Sequence, residues 1–212
     1  DAARRSGVRR VVLASSSAVY GDDPHLPKIE QMAPKPLSPY AVQKLTGEYN
    51  AAVFSGLYQL ETVCLRYFNV FGPRQDPSSP YSGVISIFMT RAAEGRAPTI
   101  YGDGNQTRDF VYVADVVQAN LLAATRAAAA GRVFNVGSGS ATRIRVLWEM
   151  IGALSGVKIS PRFDSPRAGD IRDSVSDMGE IAEVLGFTPR VTLRQGLIDT
   201  LAWYRAESTV LR

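Results

Sequence analysis

The hydrophobic pattern switches between short unbroken apolar runs and longer stretches of helical period. Val11-Val12-Leu13-Ala14 is one such run and predicts a buried strand of a parallel sheet. Residues 61–67, rich in β-branched and aromatic side chains, predict a second strand, and Val133-Phe134-Asn135-Val136 a third. Residues 22–39 carry five prolines and read as a loop. From Ser38-Pro39 the period turns helical, with Tyr40, Leu45, Tyr49, Ala52 and Val53 recurring at roughly one-turn spacing. Ser38 suits the cap, Pro39 the first turn, and Gly56 falls near the end. Further helices are predicted at 84–94, ending at Gly95, at 114–129, from a cap at Thr142 through Leu154, and at 178–185 and 193–205. Asp103-Gly104-Asn105 reads as a turn. Strands alternating with helices predict an α/β fold.

Composition narrows the class. The 212 residues are 45% hydrophobic, enough for one sizeable core or two small interleaved ones, and 21% charged, an ordinary globular level. No apolar run is long enough to span a bilayer and no secretory leader opens the chain, so the expectation is a cytoplasmic protein with no membrane partner. Cys64 is the lone cysteine and lies in an apolar run, which predicts a buried thiol and excludes an internal disulfide. His25 is the lone histidine, so no soft metal site is expected. The net charge of +4 rests on scattered arginines, with only four lysines. Aromatic and basic residues do not interleave as in single-strand binders, so nucleic acid is not expected as a partner. A small anion such as a diphosphate suits this surface better than a polyanion.

The segment Val133 to Ser140 runs strand, Gly137-Ser138-Gly139, then predicted helix, and imitates a dinucleotide fingerprint. The third glycine would fall at Thr142, and no acidic residue follows at the end of a second strand. A turn leading into a helix cap explains it better.

Chemistry concentrates earlier in the chain. Tyr40 and Lys44 are four residues apart and share a helix face. A free phenol has a pKa of about 10, and a nearby cation favours its ionised form. Upstream, Ser15-Ser16-Ser17-Ala18-Val19-Tyr20-Gly21 follows the first strand directly, putting hydroxyls at the C-terminal end of a parallel strand, where open α/β sheets bind ligands.

These stretches, with LRYFNVFGPRQ (65–75), YGDGNQTRDFVYVADV (101–116), FNVGSG (134–139) and RAGDIRDS (167–174), resemble the NAD-dependent epimerase/dehydratase family, the extended short-chain dehydrogenase/reductase group. The resemblance implies the C-terminal part of a doubly wound, Rossmann-type parallel sheet plus a smaller, mostly helical substrate-binding domain. Residues 1–70 would be the C-terminal part of the NAD-binding domain and 71–212 the nucleotide-sugar domain, interleaved, with strand 133–136 returning to the first. It also implies NAD as cofactor. Tyr40 would be the acid/base, Lys44 would hold the ribose hydroxyls and tune Tyr40, and Ser16, or its neighbour Ser17, would be the catalytic hydroxyl. Tyr67 and Phe68 match residues lining the nicotinamide side, and Asn69 one that contacts the substrate diphosphate. Arg108 and Arg167 resemble the phosphate clamp, Asp170 the ribose contact, and Ser174 a size gate beside the sugar. Guanidinium forks bind phosphate in pairs of hydrogen bonds, which suits the two arginine assignments independently.

Members of the family diverge after oxidising the sugar 4-hydroxyl. Dehydratases carry an Asp-Glu pair where this chain has Ser17 and Ala18, and decarboxylases tend to carry Glu at the Ala18 position. What remains is return of hydride to the opposite face, a 4-epimerisation. A dehydratase or reductase with relocated acids is the alternative, and a non-catalytic nucleotide-binding protein a third reading. Segment 69–88 most resembles epimerases of UDP-glucose/galactose or their N-acetyl forms, and small Ser174 leaves room for an N-acetyl group. A homodimer through the Tyr40 helix, with helix 84–94 as a further candidate, is the expected assembly.

The family's Gly-rich fingerprint lies ahead of the strand that opens this chain, and Asp1 to Ser6 reads as the tail of a helix. The expectation is a preceding segment that carries it. Calorimetric titration of the isolated 212-residue chain with NAD is therefore expected to show weak or no binding and an inactive, aggregation-prone fragment. Measurable affinity would overturn this.

Overall fold

The computed structural model describes residues 1–76, 83–167 and 169–210. Residues 77–82 of the 69–88 segment, and Ala168 of the RAGD motif, lie outside them. In chain order, helix α1 (Ala2–Arg5) leads to β1 (Arg10–Ser16), a 3₁₀ turn (Ser17–Tyr20) and the long α2 (Pro39–Tyr58). Strands β2 (Glu61–Tyr67) and β3 (Asn69–Phe71) precede α3 (Val84–Ala93), β4 (Thr99–Tyr101), β5 (Thr107–Tyr112) and α4 (Val113–Thr125). After a second 3₁₀ turn (Ala127–Ala129) come β6 (Arg132–Val136), β7 (Ala141–Arg143), α5 (Ile144–Ser155), β8 (Arg162–Asp164), α6 (Gly179–Leu185) and α7 (Leu193–Val210).

The architecture is α/β with parallel sheets. Strands β1, β2 and β6 form one parallel sheet in that order, and its register aligns Ser16 with Tyr67 and Tyr67 with Val136. The three strands therefore end together. Strand β3 pairs parallel with β5, which pairs antiparallel with β7, and β4 pairs parallel with β8. One core joins Val63, Leu65, Phe134 and Val136 of the first sheet to α4 and α6. A second gathers α3, α5 and α7 around Phe71 and Phe110. Cys64 is buried, and its thiol pKa is pushed up to about 12 by burial, with Glu48 adding to the effect.

Several local expectations need correction. Val11, Val12 and Leu13 are half-buried and Ala14 is exposed, where a buried run was expected, because β1 has a paired neighbour on one edge only among the described residues. Thr142 caps no helix. It lies in β7 opposite Arg108, so the turn at 137–139 leads into a strand and α5 begins at Ile144. Helix α2 runs past Gly56 and stops at Gln59, whose φ of 55° is left-handed. The helix expected over 114–129 is interrupted at Arg126, which is extended (φ −74°, ψ 125°). There Arg10 Nη1 donates to the carbonyls of Ala123 and Arg126, at 2.8 and 2.7 Å, and satisfies groups a continued helix would have used. Ser38 does cap α2, its hydroxyl accepting from Ala41 N.

The tie between α2 and the sheet is ionic. Glu48 receives Arg66 Nε at 2.9 Å and Nη2 at 2.7 Å, and Ser15 donates its hydroxyl to the same carboxylate. Arg66 is 4% and Glu48 6% exposed. Burial works against the Arg66 charge, but the hydrogen bonds to Glu48 win and hold its pKa above the ordinary value. Removing one partner strands the other charge in the interior. Arg66→Met should therefore cost about 3–5 kcal/mol in urea unfolding, and adding Glu48→Leu should recover much of the loss. A double variant no more stable than the single one would show that the pair is not coupled.

Candidate active site

Helix α2 starts beyond the C-terminal end of β1, so its first turn stands over the last residues of that strand. Lys44 Nζ donates to the Ala14 carbonyl at 2.8 Å and fixes this placement. The same ammonium lies 5.5 Å from the centroid of the Tyr40 ring. Tyr40 is 40% exposed. Ser16 closes β1, and its hydroxyl accepts from Ala18 N at 3.2 Å as the cap of the 3₁₀ turn that Ser17 opens. The chain leaves this turn through Gly21, at φ 64°, where a Cβ would fall 2.0 Å from the Lys35 carbonyl oxygen. The structure thus brings Ser16, Ser17, Tyr40 and Lys44 to one end of the β1–α2 pair.

A second group lies in a cavity of about 420 Å³. Its walls include Ile87 and Phe88 of α3, Thr99 to Tyr101 of β4, Gln106 and Ile144. Asn69, Arg108, Arg167 and Asp170 all line it, with Arg91 adding a third guanidinium. Arg108 Nη2 donates to Asp170 Oδ1 at 2.6 Å, and Arg167 stacks over the Tyr101 ring with its guanidinium carbon 3.9 Å from the centroid. Cations, an amide and apolar walls together suit a phosphorylated ligand with an organic end.

Of the remaining candidates, Tyr67 adjoins the first group, while Phe68 and Ser174 are buried. Tyr67 ends β2 beside Ser16, and its hydroxyl donates to Asn120 Oδ1 at 2.9 Å. Burial raises its pKa, with the Asn120 bond opposing. Phe68 is buried with Val19, Tyr20 and Leu45. Ser174 is buried too and is not among the residues lining the cavity.

Two supports escaped the sequence analysis. One is the Ser15–Glu48–Arg66 network. Its signals were Glu48 one turn beyond Lys44 and a lone arginine in an apolar strand, which needs a buried partner. The other is Asp109 in β5. It is fully buried and accepts from Ser138 N and Oγ, Gly139 N, and Ser176 N and Oγ. Gly137 permits this, since a Cβ there would meet Ser176 Oγ at 2.2 Å. The Gly-Ser-Gly turn is thus held by a carboxylate of its own chain.

Comparison with known proteins gives concordant matches. The profile of the NAD dependent epimerase/dehydratase family matches residues 1–137. The UDP-glucose 4-epimerase of Mycolicibacterium smegmatis is 42% identical over 209 residues, 98% of this chain and 66% of that protein. Among solved structures, the UDP-N-acetylglucosamine 4-epimerase of Methanobrevibacter ruminantium, in complex with UDP-N-acetylmuramic acid, superposes with a TM-score of 0.93 at 38% identity, covering 97% of this chain and 66% of that one. The Thermus thermophilus UDP-glucose 4-epimerase complex with NAD gives 0.87 at 35%, covering 96% and 66%. The chain spans about two thirds of the length of the curated relatives it matches.

Asp109 measures how firmly the cavity's frame is built, because it joins the strand that carries Arg108 to the 138–139 turn and to Ser176. Asp109→Ala takes the carboxylate from all those donors, leaving second acceptors only to Gly139 N, in Ser176 Oγ, and to Ser176 Oγ, in Met178 Sδ. Urea unfolding should show a loss of at least about 3 kcal/mol. A loss below about 1 kcal/mol would mean water replaces the carboxylate.

Proposed function

The chain belongs to the NAD-dependent epimerase/dehydratase family, and from that premise we propose that the full-length protein inverts C4 of a nucleotide sugar through a transient 4-keto sugar. The substrate is a UDP-linked glucose/galactose or its N-acetyl form, in keeping with the relatives' names. The observation that carries the reading is the set Ser16, Tyr40 and Lys44 at the end of the β1–α2 pair, with acid-free Ser17 and Ala18 in the turn beside it.

The residues fit NAD. Ser16, Tyr67 and Val136 end three parallel strands in register, the edge where open sheets take ligands, and Lys44 presents an ammonium there. When bound, NAD would supply the redox chemistry, reversible hydride exchange at C4. Tyr40 Oη takes the proton of the sugar 4-hydroxyl and later gives one back, while the Ser16 hydroxyl bonds the reacting oxygen and Lys44 holds ribose hydroxyls and the Tyr40 ring in place. Tyr67 and Phe68 back the nicotinamide side. Asn69, Arg108 and Arg167 anchor the diphosphate and Asp170 accepts from ribose, so the nucleotide end stays fixed while the sugar turns its other face. Ser174 is buried off the cavity wall and takes no part in this reading. In this reading residues 1–70 complete a doubly wound NAD-binding domain, 71–212 hold the nucleotide sugar, and β6 returns to the first sheet. Helix α2 leaves Val42, Tyr49, Val53 and Leu57 exposed, which supports a homodimer through that helix.

Incubation of the full-length protein with UDP-galactose and with UDP-N-acetylgalactosamine, followed by NMR of the sugar, should give the 4-epimer from at least one. Tyr40→Phe should slow it by about 100-fold or more. A 4-keto-6-deoxy product, or no epimer from either sugar, would reject the assignment.

A further inference from the structure

Residues 172–177 belong to no helix or strand named above, yet they are bonded on both flanks. On one flank lies β5, the strand that carries Arg108. Thr107 donates its hydroxyl to Asp173 at 2.7 Å and its N–H to the Arg172 carbonyl at 3.1 Å. Buried Asp109 of the same strand takes the N–H and the hydroxyl of Ser176. On the other flank lies the loop that leads from the Ser16 turn to α2. Asp22 Oδ1 accepts from Arg172 N at 2.8 Å. Lys28 N donates to the Val175 carbonyl at 2.8 Å, and Asp177 N to the Lys28 carbonyl at 2.9 Å. Lys28 is 2% exposed, and its ammonium folds the loop on itself by donating to the carbonyls of Asp23 and, at 3.0 Å, His25. None of residues 172–177, nor Asp22, lines the cavity.

The order in space is cavity strand, segment 172–177, loop 22–28, and then the turn that Ser16 caps. Asp22 follows directly on Gly21, where that turn ends. The exit is tight, because a Cβ on Gly21 would strike the Lys35 carbonyl and Lys35 N returns to the Val19 carbonyl at 2.9 Å. A shift of Asp22 against Arg172 would therefore carry the turn with it. Arg172 does not follow, since Asp103 holds its side chain in two bonds at 2.8 and 3.0 Å. We propose that Asp22 is a positioning residue, whose carboxylate sets the Ser16 turn at a fixed distance from the cavity through the backbone of Arg172. The inference rests on the proposed reaction, in which one ligand spans the cavity and the Ser16–Tyr40 end. A small misplacement of the Ser16 hydroxyl costs rate while the contacts in the cavity persist. Asp22 also faces the Lys28 ammonium, so its charge and its acceptor have to be separated. Asparagine keeps a carbonyl acceptor and drops the charge, and alanine removes both.

The test uses the full-length protein with Asp22→Ala and Asp22→Asn. It measures kcat with whichever of UDP-galactose and UDP-N-acetylgalactosamine the wild type turns over faster, and UDP affinity by calorimetry. Asp22→Ala should lose about tenfold in kcat, with the Kd for UDP within about twofold of wild type. Asp22→Asn should keep kcat within about twofold of wild type, because its amide carbonyl accepts the same N–H. Unchanged UDP stoichiometry shows that each variant is folded. An unchanged kcat in Asp22→Ala, a parallel loss of UDP affinity, or an Asp22→Asn as slow as Asp22→Ala would each overturn the assignment and leave the reaction standing. A wild type that binds UDP and epimerises neither sugar would instead overturn the proposed reaction, and the assignment with it.

Discussion

Glu48 and Arg66 meet between helix α2 and strand β2, both almost wholly out of water. Two charges in such a place are expensive to desolvate, and an apolar pair of similar size would hold helix to sheet as well or better. What an apolar pair would not supply is direction. The Arg66 fork accepts one orientation of the carboxylate, and Ser15 of β1 donates to the same group, so helix and two strands are fixed to each other in register. Arg66 also lies over the Tyr20 ring, 4.8 Å from its centroid, and donates Nη1 to the Glu30 carbonyl. The turn after β1 and the proline-rich loop are thus drawn into the same knot. Tyr40, Lys44 and Glu48 follow one another at four-residue spacing along one helix face. Anchoring the third of them places the first two over the end of β1.

The elements that could be read from the sequence are those whose own residues carry the signal. Strands β1, β2 and β6 are apolar or β-branched runs, and α2 has both a capping serine and a first-turn proline. Strands β3, β4, β7 and β8 have three residues each, too few for a period to appear, and exist through pairing with distant partners. Thr142 illustrates the conflict. It has the local chemistry of a cap, yet pairing across from Arg108 gives its backbone a partner in β5 and the strand wins. Arg126 shows the same override in a helix, where a side chain more than 100 residues away in sequence takes the carbonyls that continued winding would need.

The site divides in the same manner. Tyr40, Lys44 and the serines were legible because short spacing on a helix and at a strand end carries geometric meaning. Arg108 and Asp170 are 62 residues apart, and no local pattern says that they touch. Family resemblance supplied their roles, while the coordinates supply the contact, and the contact changes the physics. An arginine proposed as a phosphate ligand is here already a carboxylate ligand, with three of its five N–H groups committed to the protein.

Phe68 joins these two halves. It is the single residue between β2, which ends beside Ser16, and β3, which opens with Asn69 on the cavity wall. Its backbone N–H is bonded to the Val136 carbonyl at 3.0 Å, and its ring is buried with Val19, Tyr20 and Leu45. A hinge at this point would have to expose an aromatic ring and break a bond to β6 at once, so the crossing is rigid. In the proposed reaction the sugar must turn over while its diphosphate stays, which requires a fixed distance between the anchor in the cavity and the phenol of Tyr40. Flexibility then belongs in the ligand, and the protein's part is to keep β2 and β3 from moving against each other. A buried phenylalanine, where the sequence suggests only a cofactor contact, meets that need.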